Sequence, residues 1–287
     1  MLIRVADYSL FGISLLLKIH IVKVLTMITS TDNIQIKYLR HLLLDRRFRH
    51  KNQRFVIEGV HLLQSALLSQ SLPEKVFVPE SRIENAEIQA CLKQIPEHSV
   101  VVISDKVARQ IASLSNGCDV FSQMTLPHAN VLPNGVDCVV LENVQDPGNV
   151  GTILRTAAAT GISHMVLDSQ CADVWSPKVL RSAMGAHFLL RISSNVRLID
   201  FLRKFSGRVY VTTLSTSWVK NLYELDLTHT SAWVFGNEGA GVSQEIATCA
   251  PFGVRIPMIG KTESLNVAMA ASVCLFEQMR QRHCVKA

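Results

Sequence analysis

Clustered cysteine is missing from this chain. Its seven cysteines (Cys91, Cys118, Cys138, Cys171, Cys249, Cys274 and Cys284) are scattered, with no CxxC pair and no tight Cys/His group. A disulfide framework and a zinc site are therefore not indicated, no metal is expected, and reduced thiols in the cytoplasm are the plain reading. A long hydrophobic run is missing too. In the first 26 residues the uncharged core extends only from Tyr8 to Leu17, too short to span a bilayer. No small-residue cleavage site follows it, which argues against a signal peptide, and no membrane partner is expected. GxGxxG and Walker A are both absent, so a dinucleotide or P-loop reading fails on spacing. No internal repeat or low-complexity tract is present.

What is present is a hydrophobic fraction of 48% in 287 residues, ample for a buried core and incompatible with disorder. The formal charge of +6 suits a polyanionic partner. Residues 1–26 look out of character. They read as an interfacial helix, an extra docking helix, or codons upstream of a start at Met27. The third is favoured, because Met27-Ile28-Thr29-Ser30 opens a cleaner, capped helical segment.

From Thr29 to about Leu44, Ile34, Ile36, Leu39, Leu42 and Leu43 mark the apolar side of a helix. DRRFRHKNQRF follows, crowding Arg46, Arg47, Arg49, Lys51 and Arg54 around Phe48 and Phe55. This run is either a solvated helix end or a phosphate-contacting patch. FVIEGVHLLQSALLS reads as a strand, Phe55 to Ile57, turning into a helix. KVFVP and SVVVIS read as strands with a helix near Ile83 to Gln94 between them. TLPHANVLPNG, with two prolines and a glycine, reads as a linker. The expected division is a 1–26 extension, a small α/β domain over 27–124, a linker over 125–135, and a second domain over 136–287.

In that second domain DCVVLENV, HMVLD, RVYVTTL, SAWVF and VRIPM read as strands. The helices are PGNVGTILRTAAATG, ended by Gly161; SPKVLRSAMG, with Ser176 as cap and Pro177 in its first turn; NVRLIDFLRKFSG; and the closing segment from Ser264. Continuous apolar strands separated by helices predict a mostly parallel sheet covered on both faces. Three polar, glycine-bearing segments each follow such a strand: NVQDPGNVGTILRTAAATG, VFGNEGAGVS and IPMIGKTESLNVAMAA. Ligands of open α/β sheets bind outside the carboxyl ends of strands, so all three loops can meet at one site. In the first, Arg155 sits amid Ile153, Leu154, Ala157 and Ala158, where it must snorkel, pair or bind something. In the second, Glu238 is the only charge. In the third, Ser264 can cap the helix, whereas Asn266, placed inside the first turn, has no such excuse.

In order and company, these segments resemble the three signature motifs of the SpoU/TrmH family of S-adenosylmethionine-dependent RNA ribose 2′-O-methyltransferases, in the SPOUT superfamily. The match runs from about Val136 to Met279. From about Ser30 through FVIEGVHLLQSAL the chain resembles, more loosely, the L30e-like RNA-binding domain of many members. SLSNGCDVFSQM departs from the stretch expected before the linker, which bears on linker geometry and substrate. The resemblance implies a parallel sheet with a C-terminal trefoil knot, a homodimer with its site near the subunit interface, and S-adenosylmethionine as cofactor. It implies RNA as substrate, ribosomal RNA ahead of tRNA, with a catalytically inactive RNA-binding protein as the reading of another class. Carried over by resemblance, Asn149, Arg155, Glu238, Ser264 and Asn266 are the catalytic set. Leu214, Gly236, Ile256 and Leu265 hold the cofactor, and Arg46, Arg47, Arg49, Lys51 and Arg54 are candidates for RNA contact.

The family's proposed base is Arg155, although arginine normally stays protonated. Either a crowded cationic site depresses its pKa, or it stays charged, grips a phosphate and stabilises the developing alkoxide. The second is favoured, with Glu238 orienting Arg155 or the RNA backbone. His164 and His187 read as packed or surface residues, Trp175, Trp218 and Trp233 as core or interface, and Lys261 and Glu263 as solvated loop charges.

Overall fold

The computed structural model of the protein describes residues 27–113, 118–127, 131–214 and 218–284. The 1–26 extension, and with it the question of a start at Met27, lies outside these residues, as do parts of the SLSNGCD stretch and of the linker. Two sheets organise the chain. The first has four strands, β1 (Arg54–Glu58), β2 (Lys75–Pro79), β3 (Val100–Ile103) and β4 (Phe121–Thr125), in the order β1-β4-β2-β3. β4 pairs antiparallel with both neighbours, and β2 and β3 run parallel. The sequence reading lacks β4, because FSQMT carries no apolar run. Its Ser122 and Gln123 are nonetheless buried in mid-sheet.

Helices α1 (Ile34–Leu44) and α2 (Arg46–Asn52) precede β1. α1 starts later than expected, because Asn33 caps it by accepting from the Gln35 amide. Ile28 instead forms a bridge with Ile103. α3 (Val60–Leu68), α4 (Ala86–Leu92) and α5 (Asp105–Ile111) complete this lobe. α1 and α5 cover one face of the sheet around Leu39, Val56, Phe77 and Val107. α3 and α4 cover the other, in a core that runs on into the second lobe.

The second sheet has seven strands: β5 (Cys138–Leu141), β6 (His164–Leu167), β7 (Arg191–Ser193), β8 (Arg208–Thr212), β9 (Val219–Asn221), β10 (Ser231–Phe235) and β11 (Gly253–Arg255). Their order is β7-β6-β5-β10-β8-β11-β9, and every pairing is parallel. Such a sheet must be covered on both faces. α6 (Pro147–Ala159), α7 (Pro177–Ala183) and the closing helix α10 (Val267–Cys284) lie on one face, over Val139, Leu141, Met165, Trp233 and Phe235. α8 (Leu198–Leu202) and α9 (Gln244–Ala247) lie on the other, over Val140, Val166, Val211 and Val234. α7 begins at Pro177 as read, but the Ser176 hydroxyl makes no capping bond.

α10 is anchored at its far end to the amino edge of this sheet. The Gln278 amide oxygen, 2% exposed as a residue, accepts from the Trp233 indole and from Ser231 Oγ at 3.1 Å. Arg282 binds Asp137 and the His229 carbonyl. The helix therefore crosses the sheet and brings its N-terminus to the carboxyl edge.

Candidate active site

β5 ends at Leu141, and the chain turns through Asn143, a left-handed residue at φ +52°. Its amide donates to Asp168 Oδ2 at 3.0 Å, tying the loop to the end of β6. Asp146 then caps α6 by accepting from the Asn149 amide at 2.9 Å, and Pro147 takes the first helical position, where no donor is needed. Asn149 thus sits in the first turn of α6.

After β10 the chain makes a tight reversal in which Asn237 and Gly241 exchange backbone bonds at 3.0 and 2.9 Å. Gly236 is obligatory there: a Cβ would lie 2.3 Å from the Gly241 carbonyl carbon and oxygen. The Asn237 side chain accepts from the amides of Gly239 and Ala240, both at 3.0 Å, and donates to the Asn143 carbonyl at 2.9 Å. The reversal projects Glu238 at the first loop. Its carboxylate accepts from the amides of Gln145 (3.3 Å) and Asp146 (3.1 Å) and from Asn149 Nδ2 (3.0 Å). Burial raises the Glu238 pKa, but these donations outweigh it and hold the carboxyl below its ordinary value.

The third segment closes the chain of contacts. Asn266 Nδ2 donates to Asn149 Oδ1 at 2.9 Å, and Asn266 Oδ1 accepts from the amides of Ala268 (2.9 Å) and Met269 (3.3 Å). Asn266 is therefore the cap of α10, outside the first turn where the sequence placed it, and Ser264 is an exposed loop residue lining the cleft. The result is one polar line: Glu238, Asn149, Asn266, helix amides. Its sense is fixed at both ends, because a carboxylate only accepts and an amide N–H only donates.

Beside this line, at the carboxyl ends of β8, β10 and β11, is a cleft of about 330 Å³. Its wall includes Leu214, Gly236, Ile256, Ser264 and Leu265, so all four expected cofactor residues share one cavity. Among the described residues, the lining holds no lysine or arginine, and Glu238 is its one charged group.

Residues 138–276 match the SpoU rRNA Methylase family, and residues 33–121 match the MRM3-like substrate binding domain. Over 89% of its length the chain is 36% identical to an uncharacterised tRNA/rRNA methyltransferase of Synechocystis sp., covering 94% of that protein. The chain belongs to the SpoU rRNA methylase family. A second relative is the 23S rRNA (guanosine(2553)-2′-O)-methyltransferase RlmP of Bacillus subtilis, 30% identical over 87% of this chain and 97% of that one. The fold superposes on the AdoMet-bound rRNA methyltransferase of Sinorhizobium meliloti with a TM-score of 0.76 at 27% identity, covering 89% of this chain and 97% of that one. The resemblance read from the three motifs holds, and so does the parallel α/β architecture.

Other expected site residues of this SpoU chain fall elsewhere. Arg155 is exposed on α6, does not line the cleft, and its side chain has no hydrogen bond or ion pair among the described residues. Glu238 is engaged by Asn149 and backbone amides, so it does not orient Arg155 within the chain. The basic run needs correction. Arg49 is 3% exposed, giving Nη1 to the Leu42 and Leu43 carbonyls and Nε and Nη2 to Asp173 (2.9 and 2.5 Å). Buried and fully engaged, it cannot meet a phosphate. Arg46 donates to the Ser169 and Cys171 carbonyls and to Asn195, and Arg54 pairs with Glu74 at 2.6 Å. Arg47 and Lys51 remain exposed. Sequence reasoning missed Asp146 and Asn237, the residues that shape the two loops. Asp-Pro ahead of a helix is the capping signal that marks Asp146.

Proposed function

We propose that the protein transfers the methyl group of S-adenosylmethionine to a ribose 2′-hydroxyl in RNA, within ribosomal RNA. The observation that carries this is the Glu238–Asn149–Asn266 line, which begins at Glu238 in the wall of the cleft and leads away to the start of α10. The cleft fits the cofactor: Gly236 admits close backbone approach, Leu214, Ile256 and Leu265 offer apolar walls, and the absence of lysine and arginine suits a sulfonium cation. S-adenosylmethionine supplies a methyl carbon that is already activated, so the protein chiefly has to align the sugar and manage one proton. Alignment alone supplies on the order of 7 to 11 kcal/mol in favourable cases. Asn149 and Asn266 offer oriented neutral groups that do not compete for the nucleophile's proton. Arg155, exposed and without a side-chain partner among the described residues, is the group available to grip phosphate and stabilise a developing alkoxide.

Arg155 stands away from the cleft of its own chain, and α10 exposes Met269 and Phe276 on one face. Both features support a homodimer in which a second subunit brings Arg155 to the site. The trefoil knot and a cytoplasmic location belong to the same reading, as does the division into an RNA-binding lobe (27–124), a linker (125–135) and a methyltransferase domain (136–287), with Arg47 and Lys51 facing RNA. Relatives named for 23S rRNA support ribosomal RNA over tRNA. The test is methyl transfer from labelled S-adenosylmethionine to ribosomal RNA of a strain lacking the gene. Transfer is expected with the wild type and lost, by at least about 100-fold, in Asn149→Ala and Arg155→Ala, with circular dichroism unchanged. A wild type that binds no cofactor by calorimetry would establish the inactive RNA-binding reading instead.

A further inference from the structure

Two charge pairs cross between the lobes, Arg181–Glu58 with its carboxylate buried and its guanidinium half-buried, and Arg49–Asp173 buried on both sides, and each lands beside the loop that holds Asn149. The first centres on Glu58, at the end of β1, whose side chain is wholly out of solvent. Glu58 accepts from the Ser113 amide at 2.8 Å and from the Ser113 hydroxyl. From the other lobe, Arg181 of α7 donates Nη1 to Glu58 Oε2 at 3.0 Å and to Ser113 Oγ at 2.5 Å. The next residue, Ser182, donates to the Gly148 carbonyl at 3.0 Å, one peptide from Asn149. There is no slack between α7 and α6 within the second lobe, since a Cβ on Gly151 of α6 would lie 2.4 Å from Ser182 Cβ and 2.8 Å from the Val179 carbonyl oxygen.

The second pair is Arg49 with Asp173. One residue before Asp173, the Ala172 amide donates to the Val144 carbonyl at 2.9 Å, and Asp168 accepts from the Asn143 amide. Both routes end on residues 143–149, the loop whose amides hold Glu238. Buried ion pairs gain little over apolar packing in stability, and their better-attested use is to select one arrangement. The buried Arg49–Asp173 pair and the half-buried Arg181–Glu58 pair span the same interface and make the small lobe a docked arm.

We propose that Arg181 is a positioning residue for methyl transfer. Through Glu58 and Ser113 it fixes the RNA-binding lobe to the first turn of α6, so that RNA seated on the small lobe presents its ribose at a set distance from Asn149. This rests on the RNA methyltransferase reading above. A hinged arm binds RNA as tightly but presents the sugar over a range of positions. The docked arm removes that range, and displacement of about 1 Å is enough to cost orders of magnitude in rate.

The experiment compares wild type, Arg181→Gln and Arg181→Lys on ribosomal RNA from a strain lacking the gene. Rates are expressed per cofactor site, titrated by calorimetry with S-adenosylhomocysteine, so that unfolded chains do not count. RNA affinity is measured separately by filter binding. Arg181→Gln is expected to keep cofactor and RNA affinity within about twofold of wild type while kcat falls about tenfold. Arg181→Lys, which keeps a cation for Glu58, is expected to recover most of the loss. Should Arg181→Gln not fold, Ser113→Ala removes one of the two acceptors and carries the same expectation at about two- to threefold. Wild-type kcat in the variants, a loss seen wholly as weaker RNA binding, or a lysine no better than glutamine overturns the proposal. A wild type that transfers no methyl group defeats the parent reading, and this one with it.

Discussion

Asn149 and Asn266 are amides, and an amide can face either way. Here neither is free to choose. Glu238 can only accept, so Asn149 must turn its nitrogen toward it and its oxygen toward Asn266. Asn266 must then turn its oxygen to the first amides of α10. Glu238→Gln removes the acceptor-only end and lets the line reverse. Because the Glu238 carboxyl is held below its ordinary value of 4.5, its contribution to stability is complete above that pH. It is lost as pH falls through the lower folded value. Melting temperatures of wild type and Glu238→Gln should therefore differ by a constant amount from neutral pH down to about 4.5 and converge below it. A difference that changes near neutral pH would assign the effect to another group. Reading such a line from sequence requires knowing which side chains meet. The motifs supplied Asn149, Glu238 and Asn266, but the basic run shows the limit. Arg47 and Arg49 look alike in the sequence, and only the docking of α2 against Asp173 buries one and leaves the other in solvent.

α6 and α7 approach each other closely because Gly151 has no side chain. An alanine there would drive its Cβ into Ser182 Cβ and against the Val179 carbonyl and Ala183 amide, at 2.4, 2.8 and 2.9 Å. Two of those atoms are backbone, so the helices must separate. Overpacking of this kind costs about 1 to 3 kcal/mol. Urea unfolding of Gly151→Ala should show that loss at an unchanged m-value, together with slower methyl transfer, since Ser182 would lose the Gly148 carbonyl beside Asn149. A variant as stable as wild type would mean that α7 can slide. β5, β6 and β10 were readable because three to five buried residues in a row leave few other conformations. β7 and β9 were not: each has three residues, and their pairing along the sheet edges, with β6 and β11, makes them strands. The start of α10 was misplaced by two residues for a similar reason, the cap being Asn266 and not Ser264. Asn266 caps by its own side chain, and the polar loop before it carries several residues that could have done so.

The two lobes share one continuous core, and its seam is aromatic: Phe55 of β1 packs at a tilt against Trp175 at 4.7 Å between ring centres, and Trp175 against His187 at 5.3 Å. His187 is 4% exposed. Its Nε2 donates to the Val174 carbonyl at 2.7 Å, which leaves Nδ1 without a hydrogen bond. A second proton would put an N–H at that position with nothing to accept it. Burial accordingly lowers the pKa to about 4, against the upward pull of the Val174 carbonyl and Asp173. The unfolded chain takes up this proton once pH falls below 6.5, and the folded chain resists until about 4. Stability must therefore fall across that window, by an amount on the order of 3 kcal/mol from this group. His187→Gln retains a donor for Val174 and has nothing to titrate. Urea midpoints measured from neutral pH down to about 4 should fall more steeply for wild type than for His187→Gln, with the two curves parallel at neutral pH. Equal slopes throughout would mean that the imidazole is protonated inside the fold, and that the seam between the lobes opens to accept it.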